Sequence, residues 1–259
     1  MAGNSQKQEN EPVSIERRQQ RRGIYLLPNL ITTAALLAGF YSIVNAMRAT
    51  PENGLFVVAA ISIVVAGVLD GLDGRVARLT NTQSEFGVQF DSLSDMVAFG
   101  VAPAILSFSF AAQYSGKLGW IAAFIFVACV ALRLARFNVQ AESADKRFFT
   151  GLASPAGAGL VASLTWSLAD AGQLGSDWVW LYVPLTAALG GLMVSNVPYR
   201  SFKELDPSSK VPFIALAAVV VVYALISLDP PRVLLLIAII YALSGPVETG
   251  LKYLKGNQG

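Results

Sequence analysis

The 259-residue chain has no histidine and a single cysteine, Cys129. The first absence removes His-based triads, His-ligated zinc and an imidazole general base. Any proton abstraction then falls to a carboxylate, a lysine, a tyrosine or water. The second excludes an internal disulfide, and Cys129, inside an apolar run, reads as packing. Charge is also scarce. Asp, Glu, Lys and Arg make up 14% of the residues, and a net charge of +2 offers no electrostatic footprint for a nucleic-acid partner. The sequence shows neither an internal repeat nor a soluble domain.

What is present is apolar. Hydrophobic residues reach 54% and the mean hydropathy is +0.54, the composition of a polytopic membrane protein. The runs predict an all-α membrane bundle of about eight transmembrane helices, over 25–47, 54–79, 87–112, 118–137, 153–169, 178–195, 211–227 and 232–250. Trp166, Trp178 and Trp180 fall near predicted span ends, where amphipathic rings are favoured. Residues 1–23 form a polar, basic segment whose length before the first apolar run does not suit a cleaved signal peptide. Its Arg17, Arg18, Arg21 and Arg22 fit two readings. One is a short interfacial helix held to anionic membrane lipids by about 1 kcal/mol per arginine; the other is a flank that sets topology.

An even number of spans puts both termini on one side. With the N-terminus inside, all 19 basic residues except Arg48, Lys117 and Arg232 fall on the inner side. The positive-inside rule therefore predicts cytoplasmic termini.

Against this background four acids fall between Asp70 and Asp95. Asp70 and Asp73 are spaced i, i+3 and Asp91 and Asp95 i, i+4, so each pair shares one helix face. Two such faces turned together gather carboxylates that repel one another unless protons or hard divalent cations neutralise them. Burying an aspartate in a membrane helix costs about 2.5–3.5 kcal/mol, which makes such residues functional by default. Gly74 and Ala77 leave room for a nucleotide beside the helix, Arg78 can pair with a phosphate or carboxylate, and Gly87 suits a turn or close contact.

The full pattern, D-x-x-D-G-x-x-A-R-x8-G-x-x-x-D-x-x-x-D from Asp70 to Asp95, resembles the signature of the CDP-alcohol phosphotransferases. The resemblance implies an integral membrane enzyme with two divalent ions, Mg²⁺ or Mn²⁺, held by Asp70, Asp73, Asp91 and Asp95. It makes Asp95 the general base as well. It also implies CDP-diacylglycerol as donor, contacted by Asn29, Thr32, Asp70, Gly74, Ala77, Arg78, Ser84, Gly87 and Asp91. Residues 24–205 would be the catalytic membrane domain, and 206–259 a two-helix extension of the six-helix family core, with a short cytoplasmic tail. A homodimer in the bacterial inner membrane, with a cytoplasmic active site, completes the picture.

The runs Arg133-Leu-Ala-Arg136-Phe-Asn138, Phe149-Thr-Gly-Leu-Ala-Ser-Pro155 and Leu192–Lys203 are similar to the bacterial branch of that family whose acceptor is L-serine. Ala153 departs from it, standing where that branch often has proline. The branch resemblance makes Arg133, Arg136, Asn138, Thr150 and Ser154 the acceptor pocket, with phosphatidylserine and CMP as products. Arginines at i, i+3 suit a carboxylate, but they suit glycerol 3-phosphate or inositol phosphate equally, and those acceptors remain alternatives. An acid-lined bundle is also compatible with a divalent-cation transporter, although clustering of the acids at one membrane face favours an enzyme.

Overall fold

The computed structural model describes residues 15–80, 84–140, 148–200 and 213–256, with side chains over 27–80, 84–139, 150–199 and 220–252. The chain runs up and down through eight helical passes among these residues. They are α1 (Ile15–Arg48), α2 (Leu55–Leu79), a composite third pass, α5 (Lys117–Gln140), α6 (Ser154–Asp170), α7 (Val179–Val194), α8 (Phe213–Leu228) and α9 (Pro230–Gly256). The third pass is continuous from Glu85 to Phe110: α3 (Glu85–Asp95), a π-helical segment (Met96–Val101) and α4 (Ala102–Phe110).

Among the described residues, six stretches are long and apolar enough to cross a membrane: Leu27–Arg48, Leu55–Leu79, Glu85–Phe110, Lys117–Val139, Gly175–Val194 and Pro230–Lys252. The protein is thus a polytopic helical membrane protein, as predicted. The other two passes, α6 with 17 residues and α8 with 16, are shorter than the usual span of about 20.

Local chemistry sets the ends of the passes. Asn53 folds the first turn by accepting from Thr50 N at 2.9 Å and Leu55 N at 3.1 Å and donating to Arg48 O at 2.9 Å. Gly54 follows with φ 69°, a left-handed conformation that glycine adopts without a Cβ penalty. Asp229 separates α8 from α9, and Pro230 opens α9 where a missing N–H costs nothing.

The helices pack through small residues. A Cβ on Gly39 would lie 2.7 Å from Ala98 Cα, so α1 presses its backbone onto the π segment. One core cluster joins Phe56, Ile63, Phe99, Leu106, Phe110 and Tyr182. A second joins Phe126, Val130, Leu160, Leu189, Met193 and Tyr199. Interior hydroxyls bond each other, Ser107 to Thr186 at 2.7 Å and Thr165 to Tyr182 at 2.9 Å, as a water-free interior requires. Leu37, Phe40, Phe124, Leu132, Trp180 and Ile240 lie on the outside, where lipid rather than water receives them.

Two features add to the sequence expectation. Residues 15–23 are helical and continue directly into the first span as one 34-residue helix, with Pro28 inside it. The expected polar loop 139–151 holds a strand, β1 (Phe148–Thr150), antiparallel to β2 (Pro198–Arg200), with Phe149 opposite Tyr199. This ladder ties the α5–α6 connection to the segment after α7. A three-residue strand carries too little alternation to be seen in sequence.

Candidate active site and metal centre

The four acids lie on two helices that α1 holds together. Asp70 and Asp73 ride the last turns of α2, and Asp91 and Asp95 ride α3. Ser84 caps α3, its Oγ accepting from Gly87 N at 3.0 Å, and Ser94 on α3 donates to Thr32 O on α1 at 3.2 Å. Carboxylate oxygens of Asp70, Asp91 and Asp95 come within 4.8 Å of one another. Asp70 and Asp95 are close enough for one carboxyl to hydrogen-bond the other.

Asp73 stands slightly apart from this triad. It is 5% exposed, and Thr32 Oγ1 donates to its Oδ2 at 2.7 Å. Among the described residues, Asp91 Oδ1 is buried without a hydrogen-bond partner. Three crowded carboxylates and an orphaned buried oxygen fit a hard divalent cation, which neutralises the charge and satisfies the lone pairs.

The predicted donor residues surround the acids unevenly. Thr32 reaches Asp73 from α1, and a Cβ on Gly87 would sit 3.4 Å from Asn29 Oδ1 and 3.1 Å from Ser84 Oγ. Gly74 has open space where a Cβ would be, which keeps that side of α2 accessible. Gly71, which the sequence reading passed over, is equally open. Ala77 is half-buried on the same helix. Arg78 is exposed and folds back on its own helix, Nε donating to Gly74 O at 2.9 Å.

The predicted acceptor residues divide. Arg133 donates from Nη1 to Ser154 Oγ at 2.9 Å, and its Nε is buried without a partner. Its positive charge is attracted by the negative charge of Asp95. Asn138 reaches the same helix as Asp91 and Asp95, donating from Nδ2 to Ser92 Oγ at 3.0 Å. Arg136 instead bonds Asn196 Oδ1 at 3.1 Å. Thr150 is exposed in β1, opposite Pro198. The i, i+3 arginines are therefore not a matched pair: each takes its own partner, Ser154 for Arg133 and Asn196 for Arg136. Ser92, Ser94 and Asn196 carry no signal of their own in sequence. They emerge as partners of residues that do.

Fold and site together define an integral membrane protein with a cluster of acids toward one end of its helical bundle. The sequence profile of the CDP-alcohol phosphatidyltransferase family matches residues 25–192, and the chain belongs to that family. Its relatives include the CDP-diacylglycerol–serine O-phosphatidyltransferase of Helicobacter pylori, 40% identical over 182 residues that span 70% of this chain and 75% of the relative. Proteins of the same name from Mycobacterium leprae and Methanocaldococcus jannaschii are 34% and 35% identical. The first covers 78% of this chain and 69% of the relative, the second 75% and 84%. The protein is a transferase of phospholipid biosynthesis, as its residues Asp70–Asp95 had suggested.

Proposed function

We propose that the protein transfers the phosphatidyl group of CDP-diacylglycerol to the hydroxyl of L-serine, giving phosphatidylserine and CMP. The observation that carries this reading is the meeting of three carboxylates from two helices. The names of the relatives support serine as the acceptor.

Asp70, Asp73, Asp91 and Asp95 would hold two divalent ions, Mg²⁺ or Mn²⁺. Bound there, the ions would neutralise the pyrophosphate and the developing charge on the leaving phosphate. The residues do the rest. Asn29, Thr32, Ser84 and Gly87 border the donor from α1 and the start of α3, and the open flank at Gly74, Ala77 and Arg78 receives its cytidine. Arg133 pairs with the serine carboxylate, with Ser154 holding the guanidinium and Asn138 beside it. Arg136 and Thr150 belong to the outer rim of the same pocket.

Asp95 takes the proton of the serine hydroxyl as that oxygen attacks the β-phosphorus. The new P–O bond forms as the bond to CMP breaks, and the proton leaves Asp95 for solvent. Positioning and electrostatic stabilisation are the main demands of such a transfer. The protein would work in the bacterial inner membrane as a homodimer, with site and termini cytoplasmic. Basic residues on the inner side support that orientation.

The test is CMP release by the purified protein from CDP-diacylglycerol with Mg²⁺ or Mn²⁺. L-serine, glycerol 3-phosphate, inositol and inositol phosphate are offered separately. Release with serine alone supports the proposal. Release with another acceptor leaves the chemistry and replaces the substrate.

A further inference from the structure

The last turns of α5 are tied by side chains to three other segments. Arg133 Nη1 donates to Ser154 Oγ, at the start of α6, at 2.9 Å. Arg136 Nη2 donates to Asn196 Oδ1, just after α7, at 3.1 Å. Asn138 Nδ2 donates to Ser92 Oγ, on α3, at 3.0 Å. Of these three bonds, the one from Asn138 reaches the helix that carries Asp91 and Asp95.

Ser92 stands between the two acids of its helix. It follows Asp91 directly, and its i, i+3 spacing to Asp95 puts the two on a shared face. Its Oγ lies 3.1 Å from Val88 O, one turn back, and 3.3 Å from Asn138 Oδ1. The single hydroxyl proton serves one of these acceptors at a time, while a lone pair receives the Asn138 amide. Both ends of that amide therefore sit against one hydroxyl. Deeper in the bundle α5 rests on the π segment, where a Cβ on Gly100 would lie 3.2 Å from Val130 Cγ1. The third pass thus holds α5 at two levels, by apolar packing inside the bundle and by a polar bond beside the acids.

We propose that Ser92 is a positioning residue for the acceptor: through Asn138 it sets the spacing between the acid-bearing helix α3 and the end of α5 that offers Arg133 and Asn138 to an amino-acid acceptor. The groups that hold the acceptor and the carboxylate that takes its proton are thereby kept in one register. This inference rests on the reading of Asn138 as part of the acceptor pocket.

The experiment compares Ser92→Ala, Ser92→Thr, Asn138→Ala and the double variant Ser92→Ala/Asn138→Ala with the unaltered full-length protein. It measures kcat and the KM for serine and for CDP-diacylglycerol separately. Ser92→Ala is expected to raise the serine KM about three- to tenfold, the scale of one interhelical hydrogen bond, with the CDP-diacylglycerol KM within about twofold. Ser92→Thr keeps the hydroxyl and should restore the serine KM. Because Ser92 acts through Asn138, the double variant should be within about twofold of Asn138→Ala alone. Effects that multiply in the double variant overturn the proposal, as does an equal rise in both KM values with a lowered melting temperature. If Asn138→Ala raises the serine KM and Ser92→Ala does not, the acceptor reading stands and this inference fails. If neither moves it, the reading of Asn138 fails first and this inference with it.

Discussion

Thr32 Oγ1 lies 2.7 Å from Asp73 Oδ2 and 3.0 Å from the carbonyl oxygen of Pro28, so one hydroxyl proton is shared between two acceptors. This contact joins α1 to the acidic end of α2 and aims a buried carboxylate. Replacing Thr32 by valine keeps shape and removes the donor. The expected loss of stability is about 1 kcal/mol, between the usual strength of interhelical hydrogen bonds in membranes and the full penalty for an orphaned buried acceptor. Activity should fall about tenfold or more, because outer partners orient the groups that hold a metal. Serine at position 32 should restore both. Melting temperature and kcat/KM check this, and wild-type turnover in the valine variant would contradict it.

Asp95 and Asp70 are in contact, yet the mechanism gives them different work. Asp95→Asn should retain CDP-diacylglycerol binding and lose turnover by about 10²–10⁴-fold, the usual contribution of a positioned base. Asp70→Asn should weaken donor binding as well. Binding of the CDP-lipid by calorimetry, set beside single-turnover CMP release, separates the two. Equal binding defects in both variants would remove the distinction.

The cation is testable without turnover. A ligand that binds the folded protein at a hundred times its Kd adds about 2.7 kcal/mol of stability. Mg²⁺ or Mn²⁺ should therefore raise the melting temperature of chelator-treated protein, and a variant with Asp70, Asp91 and Asp95 all changed to Asn should not respond. An equal rise in that triple variant would place the cation elsewhere.

Gly39 lies against Ala98 with no room for a methyl group. Gly39→Ala forces α1 away from the π segment and should cost about 1–3 kcal/mol, the range for overpacked sites. Because α1 also carries Thr32, activity should fall more steeply than stability. Thermal unfolding in detergent beside activity measures both, and a variant as stable as the parent would show that the helices can separate freely.

Much of this was legible because the acids are rare in an apolar chain. The spacing of Asp70, Asp73, Asp91 and Asp95 gave shared faces, and two faces gave a pocket. Apolar runs located the passes to within a few residues, since a bilayer tolerates little else. The division of Arg133 from Arg136 was not legible, because i, i+3 spacing says which residues are near and not which neighbour each one takes. The bond between Ser92 and Asn138 was hidden for a related reason. It links residues 46 apart in the chain, and neither period nor composition marks such a pair.

The π segment at Met96–Val101 has a consequence for how the third pass can change. One added residue in a turn rotates everything beyond it by about 100° relative to an unbroken α-helix. Asp91 and Asp95 lie before that seam, and Ala102, Leu106 and Phe110, which fill the core, lie after it. The seam works like a coupling between two shafts. The half that carries the carboxylates has its own angular setting, and the half that fits the neighbouring helices keeps another. Removing a single residue between 96 and 101 would therefore bring two faces into conflict that the present chain satisfies separately.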